Sequence, residues 1–457
     1  MIEKRDPPQS HPLHDSSVET EQPAGSAPGL PREPSLTDFY RDFLKTFARL
    51  YPQTALKENL ESRISPQLIC PQVMSFPRVW LAQAEGVVKA FSNLRELPEW
   101  KMRLANLEPA IPNPHHHSVL MSYDFHVDEN NQLRLIEINT NASMALIADT
   151  SYQTFGIANG LTADFRKEIL EAFLEDFLEF SMQPSKKMQP LEPSKDKPSL
   201  SPGPERPQNI AIIDDHPSEQ RLYIEFEMYR ELFEQNHLSA RIVDPTELKF
   251  TDGELCFESK KIDLVYNRDT DFHLVEKRSQ ALKSARDAGV VCVTPSAYEY
   301  HLLADKERLE ELSQLSTIVN LALSVSEKAI LSRTLIRTRS IAEFTDTAAL
   351  WSDRKKYFFK PRRSFGGKAV YRGSSISRGT FQKILAGDYL VQDFVPPLTT
   401  QIEVHTPAGT EIQEFKFDLR FYVYRDRIQL SCARLYQGQM TNSQTPGGGV
   451  AVIDWVP

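Results

Sequence analysis

Residues 133–141 read Leu133-Arg134-Leu135-Ile136-Glu137-Ile138-Asn139-Thr140-Asn141, an apolar strand pattern that ends in a carboxylate and an amide. Successive side chains of a strand point to opposite faces, so Glu137 and Asn139 share one, about 7 Å apart along the chain. Simple alternation puts Leu133 and Leu135 on that face as well, with the polar pair standing where the apolar stripe stops. A carboxylate and an amide oxygen so spaced suit a hard cation such as Mg2+. A strand running out into solvent has the same pattern. Upstream, Val119 to Val127 (VLMSYDFHV) and the turn Asp128-Glu129-Asn130-Asn131 complete a strand–turn–strand unit.

Around this hairpin, 457 residues suffice for two or three domains, and 40% hydrophobic with 25% charged residues is ordinary globular composition. A net charge of −9 argues against a nucleic-acid partner bound by broad phosphate neutralisation. Cys70, Cys256, Cys292 and Cys432 are scattered, which suits a reducing compartment and offers no zinc site. No apolar run reaches the roughly 18 residues that cross a bilayer, and the N-terminus lacks a signal region, so a cytoplasmic chain without a membrane partner is expected. Residues 1–35 read as a disordered tail and 184–208 as a Pro/Ser/Lys-rich linker. Between them, 36–183 opens on a helical pattern over 35–51 and closes on an amphipathic helix over 161–178. Residues 209–297 alternate strand and helix and read as a small parallel-sheet unit. The last block, 298–457, opens on one helix (AYEYHLLADKERLEELSQL) and turns strand-rich.

Four further segments carry chemistry. Tyr357 to Gly373 (YFFKPRRSFGGKAVYRG) is a strand, a basic glycine loop and a strand, able to fold over polyphosphate through Lys360, Arg362, Arg363, Gly366, Gly367 and Lys368. An exposed hairpin with a basic turn reads the same way, and no Walker A pattern is present. In FKFDLRFYVYRD, Asp418 and Arg420 share a strand face, as metal and phosphate ligands or as a cross-strand ion pair. ARLYQGQMTNSQTPGGGVAVID combines Arg434 and Asn442 with Gly447 to Gly449 in a loop that either covers substrate or merely connects. Arg268 stands at the C-terminal end of a parallel strand, where α/β sheets place ligand contacts. Lys306 alone reads as a solvated helix lysine, and His115-His116-His117 as a polar loop.

The order of these pieces resembles the circularly permuted ATP-grasp ligases, in particular the eukaryotic-type glutathione synthetases. VLMSYDFHV followed by LIEINTNAS matches that family's strand and EINT segment. EQRLYIEFE, VYNRD, TPSAYEYHLLADKERLEEL, FFKPRRSFGG and Arg434 through GGGVAVID follow in the family's order. The likeness spans residues 118 to 457. It implies an α/β, circularly permuted ATP-grasp architecture, with a small parallel-sheet substrate domain and an antiparallel-sheet nucleotide-clamping region.

By the resemblance, Glu137 and Asn139 are magnesium ligands, while Lys306, Lys360, Gly366 and Gly367 hold the phosphates of ATP. Gln392, Asp393, Phe394 and Val395 form the hinge that reads adenine, and Asn442 belongs to the nucleotide lid. Arg268 and Arg434 take the substrate carboxylate. The chain departs from the family at Met121 for an Arg, Ser364 for a loop Glu that binds metal, and Asp271 for a Tyr; Asp418 would then replace the lost carboxylate. The implied activity is joining a small carboxylate to an amine, with ATP and Mg2+, through an acyl phosphate. A glutathione synthetase proper and a catalytically degenerate ATP-grasp binding protein are the alternatives, and a homodimer is one assembly the reading leaves open.

Overall fold

The computed structural model describes residues 35–104, 111–183, 206–362, 369–406, 409–442 and 444–457. Along the chain β1 (Ile69–Pro77), β2 (Met121–Val127) and β3 (Leu133–Asn139) come first. The middle block supplies β4 (Asn209–Ile213), β5 (Ser239–Val243), a small meander of β6 (Lys249–Thr251), β7 (Glu254–Phe257) and β8 (Lys260–Lys261), then β9 (Leu264–Asn267) and β10 (Cys292–Thr294). The last block carries β11 (Thr338–Ser340), β12 (Tyr357–Pro361), β13 (Tyr371–Arg372), β14 (Tyr389–Asp393), β15 (Thr399–Thr406), β16 (Gly409–Tyr424), β17 (Arg427–Tyr436) and β18 (Gly449–Val456).

Strands from both ends of the chain share the largest sheet, in the order β1-β18-β17-β16-β2-β3. The long β16 pairs with β15 along its first half and with β2 along its second. The middle block forms an all-parallel sheet, β10-β9-β4-β5, and the last block a small antiparallel sheet, β11-β14-β12-β13. The α/β class with a parallel unit and an antiparallel clamp is therefore present. β16 and β17, which follow the clamp in sequence, belong instead to the large sheet.

One face of the large sheet is largely apolar. Phe125, Leu135, Leu419, Phe421, Ala433 and Ile453 pack there on Trp80, Ala84, Val88 and Phe91 of helix Arg78–Glu96. The other face changes character along its length. Tyr422, Tyr424, Cys432, Val450 and Val452 lie with residues of helices Leu36–Leu50, Ala145–Phe155 and Phe165–Ser181 in one core, whereas Asp418, Arg420 and Arg434 lie beyond it. Helix Leu36–Leu50 follows the expected rules: Ser35 caps it by accepting from the Asp38 amide, and Phe39, Phe43, Phe47 and Leu50 are buried at helical spacing.

The single helix expected from residue 298 is broken. Ala297–Glu299 passes into a π turn over Tyr300–Ala304, and Asp305 takes an extended backbone and caps a new helix, Lys306–Leu312. The restart puts Lys306 in the first turn of a helix instead of along its flank. The histidine run also differs from a polar loop, because His116 is fully buried beside Asp176 and Cys292. Asp176 in turn accepts from the hydroxyls of Thr294 (2.6 Å) and Tyr424 (2.8 Å). Breaking such a buried polar group from one side leaves its partners unpaired. Asp176→Asn is expected to cost about 3 kcal/mol of stability, read as a lowered urea midpoint at constant slope.

Candidate active site

Cross-strand pairing shows how the hairpin presents its polar end. Val127, His126 and Phe125 face Leu133, Arg134 and Leu135, but Asp124 faces Glu137, so Ile136 is an extra residue on β3. This bulge reverses the alternation. Leu133 and Leu135 stay in the core with Ile138, while Glu137 and Asn139 turn to the opposite face and line a cleft of about 670 Å³. The four residues expected on one face are thus divided between two.

Glu137 and Asn139 lie directly across from Asp124 and Ser122. The Asn139 amide nitrogen donates toward three oxygens, Asp124 Oδ2 at 3.2 Å, Ser122 Oγ at 3.4 Å and Glu137 Oε1 at 3.5 Å. An N–H group there occupies a nest of oxygens of the kind that hard cations take. Asp124, which sequence reasoning missed, is fully buried and forms a two-toothed pair with Arg420 (2.8 and 2.6 Å). Arg434 adds a bond to Asp124 Oδ2 at 3.0 Å and holds Asp418 Oδ1 at 2.6 Å. Burial pushes the Asp124 carboxyl up, but Arg420 and Arg434 outweigh it and hold the group below the usual carboxylate range.

Two lysines close the same cleft. Lys360, on β12, is buried and donates to the carbonyl of the bulged Ile136 at 3.3 Å. Burial lowers its ammonium below the ordinary lysine range; Glu137 opposes the shift and Lys306 adds to it. Lys306 is lowered in the same sense by burial, against Glu137 and Asp305. The parallel unit supplies another wall through Asp214, Gln220, Arg221, Phe226, Arg268 and Thr270. Arg268, buried at the end of β9, donates to Tyr266 Oη (2.7 Å) and Glu225 Oε2 (3.3 Å), and its guanidinium lies over the Phe226 ring.

No family profile and no curated sequence matches this chain. Solved structures do. A glutathione synthetase-like effector, GSS30, from Globodera pallida is 12% identical over 93% of this chain and 98% of its own, with a TM-score of 0.54. A candidate gamma-glutamylcysteine synthetase from Methylobacillus flagellatus is 9% identical over 81% of this chain and 87% of its own, with a TM-score of 0.40. The ATP-grasp ligase PsnB, complexed with its precursor peptide and AMPPNP, is 10% identical over 54% of this chain and 87% of its own, with a TM-score of 0.27. The chain has a glutathione synthetase-like fold. No helix among the described residues is long and apolar enough to cross a membrane.

Within this fold the other expected residues divide. Gln392, Asp393 and Val395 line the cleft. The Asp393 and Phe394 amides donate to Arg337 and Lys356 carbonyls, and His126 Nδ1 lies 2.8 Å from the Val395 carbonyl, tying the hinge to β2. Phe394 is absent from the lining: its ring carries the Arg372 guanidinium 3.1 Å from its centroid and packs on Phe358. Asn442 is also outside the lining and organises its own loop, bonding to the carbonyls of Gln437 and Met440, the Gln444 amide and Thr445. Gln439, Met440 and Thr441 face the cleft from that segment. Gly447 to Gly449 form its buried base, and a Cβ at Gly449 (φ 105°) would meet the Leu68 and Gln67 backbone at 2.6–2.7 Å. Arg363, Ser364, Gly366, Gly367 and Lys368 lie outside the described residues. Met121 is a core residue, and Asp271 is spent on the Val275 and Glu276 amides and the Ser279 hydroxyl.

Asp214, a carboxylate of the cleft wall, has a displaced ionisation. Burial, opposed by Arg268, pushes it up to about 7, against about 3.9 in an unfolded chain. The folded state therefore holds the extra proton between these values, and stability falls as pH rises through that window. Asp214→Asn removes this loss: it is expected to gain ~2–4 kcal/mol over wild type at pH 8 and almost nothing at pH 4. Equal differences at both pH values in paired thermal melts would refute the assignment.

Proposed function

We propose that this chain is an ATP- and Mg2+-dependent carboxylate–amine ligase, acting through an acyl phosphate on a small amino-acid or peptide-like substrate. The observation that carries the reading is the convergence, in one cleft, of Glu137 and Asn139 (with Asp124 behind them), Lys306 and Lys360, and Arg268 and Arg434. The Glu137 carboxylate and the Asn139 amide fit a magnesium ion once the Asn139 side chain presents its oxygen, while Asp124 stays paired with Arg420 and Arg434 behind them. Bound there, Mg2+ would neutralise phosphate charge. That the metal strand precedes the clamp in the chain supports the circularly permuted order.

The chemistry is group transfer in two steps. A substrate carboxylate oxygen attacks the γ-phosphorus of ATP and ADP departs. The amine nitrogen then adds to the acyl carbon, the carbon–oxygen bond to phosphate breaks, and the amine proton is released. Positioning and charge carry such a reaction. Lys360 and Lys306, disfavoured as neighbouring cations withdrawn from water, are steadied by phosphate oxygens. With the Asp393 and Phe394 amides already committed, the Asp393 carbonyl and the Val395 amide are the hinge groups suited to an adenine edge. Arg268 and Arg434 orient the substrate carboxylate or its acyl phosphate.

Saturating MgATP is expected to stabilise the wild-type protein by roughly 2–4 kcal/mol. In Glu137→Ala and Lys360→Ala the gain should vanish. No shift of the wild-type thermal midpoint at millimolar MgATP would sink the reading.

A further inference from the structure

Asp418 is a poor third metal ligand in this arrangement. It faces Arg434 across β16 and β17, whereas Glu137 lies two strands further on, across β2, and one pleat along. Two strand spacings are about 10 Å, and ligand oxygens of one magnesium ion lie within about 4 Å of each other. Both oxygens of the Asp418 carboxylate, which is 1% exposed, are in use. Oδ1 accepts from Arg434 Nε, and Oδ2 accepts from the hydroxyl of Thr441.

Thr441 belongs to the segment Gln437 to Asn442, which covers the cleft beside Tyr436. Other contacts anchor that segment elsewhere. The Gln437 side chain reaches Gln413 and the Glu414 carbonyl, Lys416 holds the Gly438 carbonyl, and Gln439 contacts Ser375 next to the clamp. Thr441 is the residue that ties it to the polar floor. A continuous chain results: Thr441 to Asp418, Asp418 to Arg434, Arg434 to Asp124, and Asp124 to Asn139 of the metal strand. Arg434 is half-buried and spans two carboxylates, while Arg420 is buried and bidentate on Asp124 alone. Of the two, Arg434 is the arm an incoming anion can draw from Asp124 while Asp418 keeps its Nε.

We propose that Asp418 is a positioning residue: it latches the segment 437–442 over the cleft and holds the Arg434 arm, and it does not bind the metal. The latch itself rests on the Thr441–Asp418–Arg434 contacts; its link to catalysis rests on the ligase reading. A carboxylate is suited to the task because each oxygen accepts from a different donor. An amide keeps one acceptor and turns an N–H toward the other donor.

The test uses the full chain with Asp418→Asn and Thr441→Val, the second leaving the Asp418–Arg434 pair intact. Hydrogen exchange without nucleotide should rise about tenfold in 437–442 in both variants, with strand Met121–Val127 unchanged. In Asp418→Asn, the Mg2+ midpoint of the ATP-dependent thermal shift should stay within twofold of wild type. The apparent ATP affinity should fall. Unchanged exchange in both variants overturns the latch, and so does loosening in Asp418→Asn alone. Loss of the Mg2+-dependent shift in Asp418→Asn, as in Glu137→Ala, overturns the denial of metal binding. If wild type itself shows no MgATP shift, the ligase reading fails while the exchange comparison still decides the latch.

Discussion

The site depends on one extra residue in one strand. A strand has a side-chain period of two, so a single inserted residue sends everything after it to the other face. Without Ile136 as a bulge, Glu137 would point where Leu133 and Leu135 point, into the helix-covered core. With it, Glu137 and Asn139 meet Asp124 and Ser122 on the cleft side. The bulged Ile136 also accepts from Lys360, which reaches its carbonyl from another sheet. The same irregularity therefore aims the carboxylate and receives the lysine.

Around that point the sheet brings distant parts of the chain together. β16 and β17 lie between β18 and β2, so residues some 300 positions apart become cross-strand neighbours, as Arg420 and Asp124 do. Such pairing costs loop-closure entropy before any contact forms. The apolar face against helix Arg78–Glu96 supplies compensating burial, leaving the other face to carry charge. Inside it, Asp124, Asp418, Arg420 and Arg434 satisfy one another, which is the condition for keeping ions out of water.

Much of the fold was legible because it rests on local rules. The Ser35 cap and the four-residue spacing of phenylalanines define the first helix. The Asp128 turn defines the hairpin, and strand–helix alternation defines the parallel unit. What was not legible arises from departures and from tertiary partners. Unbulged alternation sets Asp124 opposite Ile136, which hides its place beside Glu137. The helix restart at Asp305, which positions Lys306, needs a capping bond that an unbroken helical pattern does not announce. Three consecutive glycines look like a loose lid in sequence, yet Gly449 is required because two backbones touch there. Phe394 and Asn442 occupy expected positions, but stacking and loop hydrogen bonds turn their side chains to local work.

The charges of the cleft explain why nucleotide and metal would enter together on the ligase reading. Burial, with Lys306 adding to it, depresses Lys360, an arrangement that an anion relieves and a lone cation worsens. Glu137 sets up the converse: a cation beside it is favoured, while a bare polyphosphate there is repelled. Neither ligand alone satisfies both halves of the site. A complexed metal–phosphate pair would, with negative oxygens toward the lysines and positive charge toward Glu137. The protein's own donors to the carboxylates are Asn139, whose N–H group sits among the oxygens, and Arg434, whose guanidinium bridges Asp124 and Asp418. The carboxylates of the cleft are thus paired by the protein's own donors. On the ligase reading, a ligand that offers both signs at once answers the lysines and Glu137 together, which would favour the metal–nucleotide complex over either component.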